Sequence, residues 1–163
     1  MLKGDMVILR SPVVGDAEAL SEYLRDREVF SALQGSVYPV TEQDMRNFIF
    51  FISDRTVPLS EINLTICLHD GTVIGMCALH DFTKRGTAQI GFWLGRRHWG
   101  HGYAREAVAL VSRMALERLG VKRLYAVSAA SNSRSERTLS SLGFKKVRAG
   151  PGGKDLIKMV LTR

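Results

Sequence analysis

Two tight turns in quick succession do most to limit the folds open to this chain. Ile62 to Leu68, Val73 to Leu79 and Ala88 to Leu94 are apolar-rich runs, and the breaks between them hold Asp70-Gly71 and Arg85-Gly86. An Asp-Gly pair between alternating runs marks a hairpin, because glycine supplies the positive φ that a tight turn demands. Strands joined in this way lie antiparallel to one another. The chain is therefore expected to be α/β of the α+β kind, a mixed, mostly antiparallel sheet with helices on its faces.

Periodicity supplies the remaining elements. Met6 to Arg10 reads as a first strand. From Asp16 to Arg25, Ala17, Leu20 and Leu24 recur at helical spacing, with Asp16 placed to cap the N-terminus. After a break at Tyr38-Pro39-Val40, Thr41 begins a second helix whose Met45, Phe48, Ile49 and Ile52 share a face, and Pro58 closes that region. Residues 103–119 give the clearest helix: Ala104, Ala107, Val108, Val111, Met114, Ala115 and Leu119 form one stripe, and Gly120 ends it. Residues 123–128 form a strand with Leu124, Ala126 and Ser128 on one side. Ser133-Arg134-Ser135-Glu136 matches a capping box opening a short helix that stops at Gly143. Phe144 to Val147 and Leu156 to Leu161 close the sheet, joined through Gly150-Pro151-Gly152-Gly153. The predicted order is βααβββαβαββ, about seven strands and four helices, without repeats or low-complexity segments. A length of 163 residues suits one domain, 1–163, around one core.

Charge is divided along the chain. The net value of +7 combines an acidic first half with a basic second half: residues 82–163 hold 17 of the 23 Lys and Arg. A basic half points to an anionic partner, either nucleic acid or a small phosphorylated molecule, or to ordinary solubilising charge. No recognition helix with clustered base-reading residues accompanies it, which ranks nucleic acid last. No apolar run is long enough to span a bilayer, and Asp5 and Arg10 interrupt any secretory signal, so no membrane association and a cytoplasmic location are expected. Cys67 and Cys77 lack metal-ligand spacing and read as small buried residues. His98 and His101 stand three apart with no Cys or carboxylate beside them, so no metal site is expected.

Chemistry concentrates at Arg97-His98-Trp99-Gly100-His101-Gly102, between an apolar strand and the longest helix. Gly100 and Gly102 allow positive φ or close approach to a ligand. The first helix amides have no internal partner, and the helix dipole adds partial positive charge. Together with Arg96, Arg97 and His98 these features make an anion site suited to a pyrophosphate; the plainer alternative is a tight strand-to-helix turn. The loop is neither a Walker loop, since no Gly-Lys-Ser/Thr follows, nor a dinucleotide fingerprint, since the third glycine is missing.

At this point the sequence resembles the GNAT acetyltransferase superfamily. Arg97, Gly100 and Gly102 fill its Gln/Arg-x-x-Gly-x-Gly/Ala hallmark. Ile90 to Leu94, Trp99 to Ala104, Glu106-Ala107, Asn132-x-x-Ser135, Leu142-Gly143-Phe144 and the opening Leu9-Arg10 look like the branch containing ribosomal-protein N-terminal acetyltransferases. The resemblance covers nearly the whole chain. It implies acetyl-CoA as donor, with CoA pyrophosphate on the amides of His98, Gly100, His101, Gly102, Tyr103 and Ala104. It implies pantetheine paired to the strand edge at Phe92, Trp93 and Leu94, which a bulge splays from its neighbour, and hydrogen-bonded by Asn132. The acceptor would be an amine on a protein N-terminus, peptide or small molecule, and the protein a monomer or homodimer.

The resemblance also carries departures. Many members place a proton-donating Tyr seven residues after the Asn; that position is Leu139 here, and the branch's alternative donor is Ser135. Asn132 and Ser135 also have plain readings, as residues of a helix start. Gln89 stands where related enzymes carry a basic Glu. Without an evident base, an α-amine, about a tenth neutral at pH 7, suits the site better than a lysine amine; Asp81, His80 and Glu61 remain within reach. His80-Asp81 resembles part of a triad, or a hairpin end. Trp93 and Trp99 read as packing residues, and Arg134 and Arg137 as solvated. A CoA-binding sensor without turnover is the alternative function.

Overall fold

The computed structural model describes residues 1–33, 37–53, 61–147 and 156–162. The breaks expected at Pro58 and across Gly150-Pro151-Gly152-Gly153 lie outside them. The strands are β1 (Leu2–Lys3), β2 (Val7–Arg10), β3 (Ile62–Leu68), β4 (Val73–His80), β5 (Thr87–Leu94), β6 (Arg123–Ala129), β7 (Lys145–Val147) and β8 (Leu156–Thr162). The helices are α1 (Ala17–Leu24), α2 (Arg27–Phe30), α3 (Glu42–Ser53), α4 (Tyr103–Arg118) and α5 (Ser133–Ser141), with 3-10 turns at Val14–Asp16 and Arg96–His98. One sheet runs in the order β1-β2-β3-β4-β5-β6-β8-β7. All neighbours are antiparallel except β5 and β6. The mixed, mostly antiparallel expectation holds. Among the described residues, eight strands and five α-helices replace about seven and four. The additions, β1 and α2, are too short to show a period.

Both hairpins form where expected, with Gly71 at φ 89° and Gly86 at φ 78°. Expected alternation in β3 gives way to a continuous buried run, Leu64 to Cys67, because both faces of the sheet are covered. On one face α4 buries Ala107, Val108, Val111 and Ala115 against Ile66, Leu79, Ile90 and Leu124. On the other, α1 and α3 bring Leu20, Leu24, Met45 and Ile49 onto Met76 and Trp93. Each large apolar side chain so buried contributes about 1.5–3 kcal/mol. The stripe of α4 ends sooner than expected, as Leu119 is largely exposed, and in α3 only Met45 and Ile49 are fully covered.

Two polar tethers fix the start of the chain. Asp16 holds the expected N-cap position of α1, but its side chain makes no capping bond; its buried carboxylate accepts from both terminal nitrogens of Arg10 (2.8 and 2.7 Å), the Val13 amide (3.0 Å) and the Thr65 hydroxyl (2.9 Å). Burial would raise this carboxyl, but those donors outweigh it and hold it below the ordinary carboxylate range. Glu106, in the first turn of α4, accepts from the amides of Asp5 (2.7 Å), Met6 (2.9 Å) and Val7 (2.8 Å). It ties the β1–β2 turn to the helix mouth that carries the glycine loop.

Candidate active site

The site begins where β5 stops. Trp99 donates its indole N–H to the Leu94 carbonyl (2.9 Å), folding the loop back onto the strand end. Gly100 sits at φ 81° and Gly102, the N-cap of α4, at φ 86°. A side chain is strained in this left-handed region, so the turn needs glycine. Gly102 offers no side-chain cap. The amides of Tyr103, Ala104 and Arg105 therefore face outward at the positive end of a 16-residue helix.

The sheet opens beside this mouth. β5 and β6 pair only from Thr87 to Gln89 and Arg123 to Tyr125. Beyond them β6 follows β8, while β5 stays on β4 in an unbroken register from His80↔Gln89 to Gly75↔Leu94. The strands part without the bulge in β5 that the resemblance implied. The wedge is a cleft of about 860 Å³, lined by Phe92, Trp93, Leu94, His98, Gly100, Gly102, Tyr103, Ala104, Asn132 and Ser135. Arg105, Arg134 and Arg137 add positive charge to its walls.

Two expected residues leave the cleft walls. Arg97 turns back onto Tyr23, with its guanidinium 5.0 Å from the ring centroid and Nη2 donating to Tyr23 Oη (2.8 Å). His101 stacks on Tyr103 at 5.4 Å. Tyr23 in turn donates to the Val73 carbonyl (2.9 Å) and lies 3.0 Å from His98 Nε2. Burial, then the charges of Arg97 and His101, pushes the His98 imidazole below its ordinary value and favours its neutral form. The positive lining comes instead from α4 and α5.

Asn132, not Ser133, caps α5: its Oδ1 accepts from the Ser135 amide at 3.1 Å. The expected capping box is absent, and Glu136 reaches Lys146 instead (3.3 Å). The Asn132 side-chain amide nitrogen is left to serve the cleft that the residue lines. Leu139, fully buried, occupies the position of the common Tyr and packs in the core.

Sequence reasoning missed a bridge across the cleft mouth. Glu28 pairs with Arg134 and, at 2.7 Å, with Arg96, which also pairs with Asp26. The Arg134 hydrogen bond, against the cost of desolvation, and the charges of Arg96 and Arg134 hold Glu28 below the usual carboxylate range. Arg134 lies 3.6 Å from the Trp99 ring centroid and Arg96 5.2 Å. Trp99 is thus a platform for two arginines, whereas Trp93 packs in the core as expected. These partners lie far apart in sequence, and no spacing rule connects them.

A second hollow, about 810 Å³, opens on the α1–α3 face of β5. Its walls are apolar, with Leu33, Val40, Met45, Phe48 and Met76, and its charged groups include Asp44, Glu61 and Asp81. Gln89 faces it, as does its cross-strand partner His80. Ala32, Phe92 and Trp93 line both cavities, so the two meet at the middle of β5. Burial pushes the Cys77 thiol to about 12, leaving it without thiolate character. Among the described residues no group of three His, Cys, Asp or Glu gathers as a metal would need, and no helix is long and apolar enough to cross a membrane.

Comparison with known proteins gives a consistent set. A family model described as an acetyltransferase (GNAT) domain matches residues 6–145. An uncharacterized N-acetyltransferase, p20, of Bacillus licheniformis is 31% identical over 145 residues, covering 87% of this chain and 80% of that protein. RimJ of Mycobacterium smegmatis, solved with CoA-disulfide, superposes with a TM-score of 0.82 at 20% identity, over 96% of this chain and 81% of that one. Spermidine N-acetyltransferase of Vibrio cholerae, solved with CoA and spermine, gives 0.80 at 15% identity, over 98% and 96%.

Proposed function

The chain belongs to the GNAT acetyltransferase family, and from that membership we propose that it transfers the acetyl group of acetyl-CoA to a primary amine by direct attack on the thioester. The observation that carries this reading is the wedge between β5 and β6. It runs from the uncapped amides of α4, along the open edge of β5, to the junction with the acidic hollow.

Coenzyme A supplies a pyrophosphate, an amide-bearing arm and an activated acyl group. The residues present fit each part. Backbone amides from His98 to Ala104, with Arg134 and Arg137 on the facing wall, would hold the diphosphate. The β5 edge at Phe92 to Leu94 would pair with the arm as a further strand. Asn132 would donate through its amide nitrogen while its oxygen caps α5. Amides near Leu94 would stabilise the developing oxyanion, and Ser135 would protonate the departing thiolate.

The acceptor would enter through the hollow. Asp44, Glu61 and Asp81 favour a cationic amine, and the apolar walls favour a hydrophobic neighbour to that amine. A protein or peptide N-terminus and a polyamine both answer this description. The Vibrio cholerae spermidine N-acetyltransferase, solved with CoA and spermine, gives the fold a precedent for the polyamine.

Thiol release from acetyl-CoA, followed across N-terminal peptides, polyamines, aminoglycosides and amino acids, tests the reading. Turnover with one class of cationic amine supports it. Thermal stabilisation by CoA with no release across the panel would instead identify a sensor.

A further inference from the structure

With Gln89 unable to take a proton, the acetyl-transfer reading leaves the incoming ammonium without a base. We propose that His80 is the general base of the reaction and that Asp81 is its positioning residue. The inference rests on the acetyl-transfer reading, and four observations carry it.

First, His80 ends β4 on the hollow side, directly opposite Gln89. Second, the next cross-strand pair on the same face of the sheet is Ala78↔Gly91, which leaves a floor almost free of side chains. A methyl group built on Gly91 would lie 3.7 Å from His80 Nε2. The imidazole thus leans over Gly91, next to Phe92, where hollow and cleft join. Third, His80 Nδ1 lies 3.3 Å from Asp81 Oδ2, and the nearby carboxylate favours a proton on Nδ1 with the lone pair on Nε2. Fourth, Asp81 holds φ 53°, the one non-glycine residue at positive φ among the described residues. Such strain recurs where a side chain must be aimed. Tyr125 Oη, 3.4 Å from the same Asp81 oxygen, bounds the carboxylate on its other side.

The charged groups facing this hollow are Asp44 from α3, Glu61 ahead of β3 and Asp81, all acidic. They attract the substrate ammonium and the imidazolium formed from it. The ammonium gives one proton to Nε2, and the freed nitrogen lone pair forms the C–N bond as the C–S bond breaks. The nitrogen's second proton replaces the one Ser135 passes to the thiolate sulfur, and His80 releases its own to water. The 3.3 Å contact is an ion-pair distance without hydrogen-bond alignment, and catalytic contacts of this kind often align only when substrate binds.

Two measurements test the assignment. In the free protein, long-range ¹H–¹⁵N spectra of the imidazoles should show neutral His80 as the Nδ1–H tautomer, and D81N should abolish that preference. An Nε2–H tautomer in the wild-type protein overturns the proposal whatever the enzyme acetylates. In the thiol-release assay, H80Q should lower kcat by about 100-fold or more with the KM for acetyl-CoA unchanged. The acidic limb of the kcat/KM–pH profile should vanish, and added imidazole should restore part of the activity of H80A. D81N keeps the strained backbone, since Asn tolerates this region, and should lower kcat with the KM for acetyl-CoA unchanged. A folded, fully active H80Q with an unaltered pH profile refutes the base while leaving acetyl transfer intact. An inactive wild-type enzyme refutes the underlying reading instead.

Discussion

Asn132 caps α5 and is proposed to hold the cofactor arm, and substitution can separate the two roles. Its oxygen caps α5, and its nitrogen is assigned to the cofactor arm. N132D keeps the cap and loses the donor, so it should leave Tm unchanged while weakening CoA binding in calorimetry. N132A loses both, with about 1 kcal/mol of stability lost as well. Ser135 is the second assignment: S135A should lower kcat by about 100-fold with little change in KM. Asp16 is structural. Its folded-state carboxyl titrates below its unfolded value, so its contribution is present above the unfolded pKa and fades as pH falls through the folded one. D16N should cost about 2 kcal/mol at neutral pH, because it leaves Arg10 facing a neutral partner. Denaturant titrations from pH 7 to pH 3 should then show the wild type losing stability more steeply than the variant.

At the scale of elements, the wedge depends on α4 being held at a fixed height against β2 and β5. Glu106 provides that hold through three backbone donors. E106A should leave those amides without their acceptor, cost about 2 kcal/mol, and raise the KM for acetyl-CoA although Glu106 does not line the cleft. An unchanged KM in a destabilised E106A would remove the link between tether and mouth. Strongly periodic elements were readable in advance. The stripe of α4 and the glycine turns of the hairpins each depend on neighbours a few residues apart. α2 was not readable, since four residues hold barely one turn and its role lies in the Glu28 bridge to Arg96 and Arg134. Ser133 and Asn132 are both good caps by residue type, so sequence does not decide between them; in the structure Asn132 takes the role. Arg97 was placed correctly in the loop but not in the cleft, as the attraction of Tyr23 comes from a helix remote in sequence.

Across the whole molecule, the division of charge seen in the sequence becomes a division of sites. The later half supplies the helix mouth and the arginines of the cleft, and the earlier half supplies α1, α3 and most of the acidic hollow. Acceptor capture should therefore be electrostatic, and kcat/KM for a cationic amine should fall as salt is raised from 50 to about 500 mM. An anionic amine of the same size should remain a poor substrate. The central hairpins and the glycine loop are legible from local patterns, but the meeting of two cavities at Phe92 is not, because it arises from where β5 and β6 stop pairing. Cofactor and acceptor are proposed to meet at that point. Hydrogen–deuterium exchange with and without CoA tests it most directly: slowed exchange should concentrate at the amides of Tyr103 to Arg105 and along Phe92 to Leu94. Protection confined to the hollow around Asp44 and Glu61, or none in these two segments at saturating CoA, would contradict it.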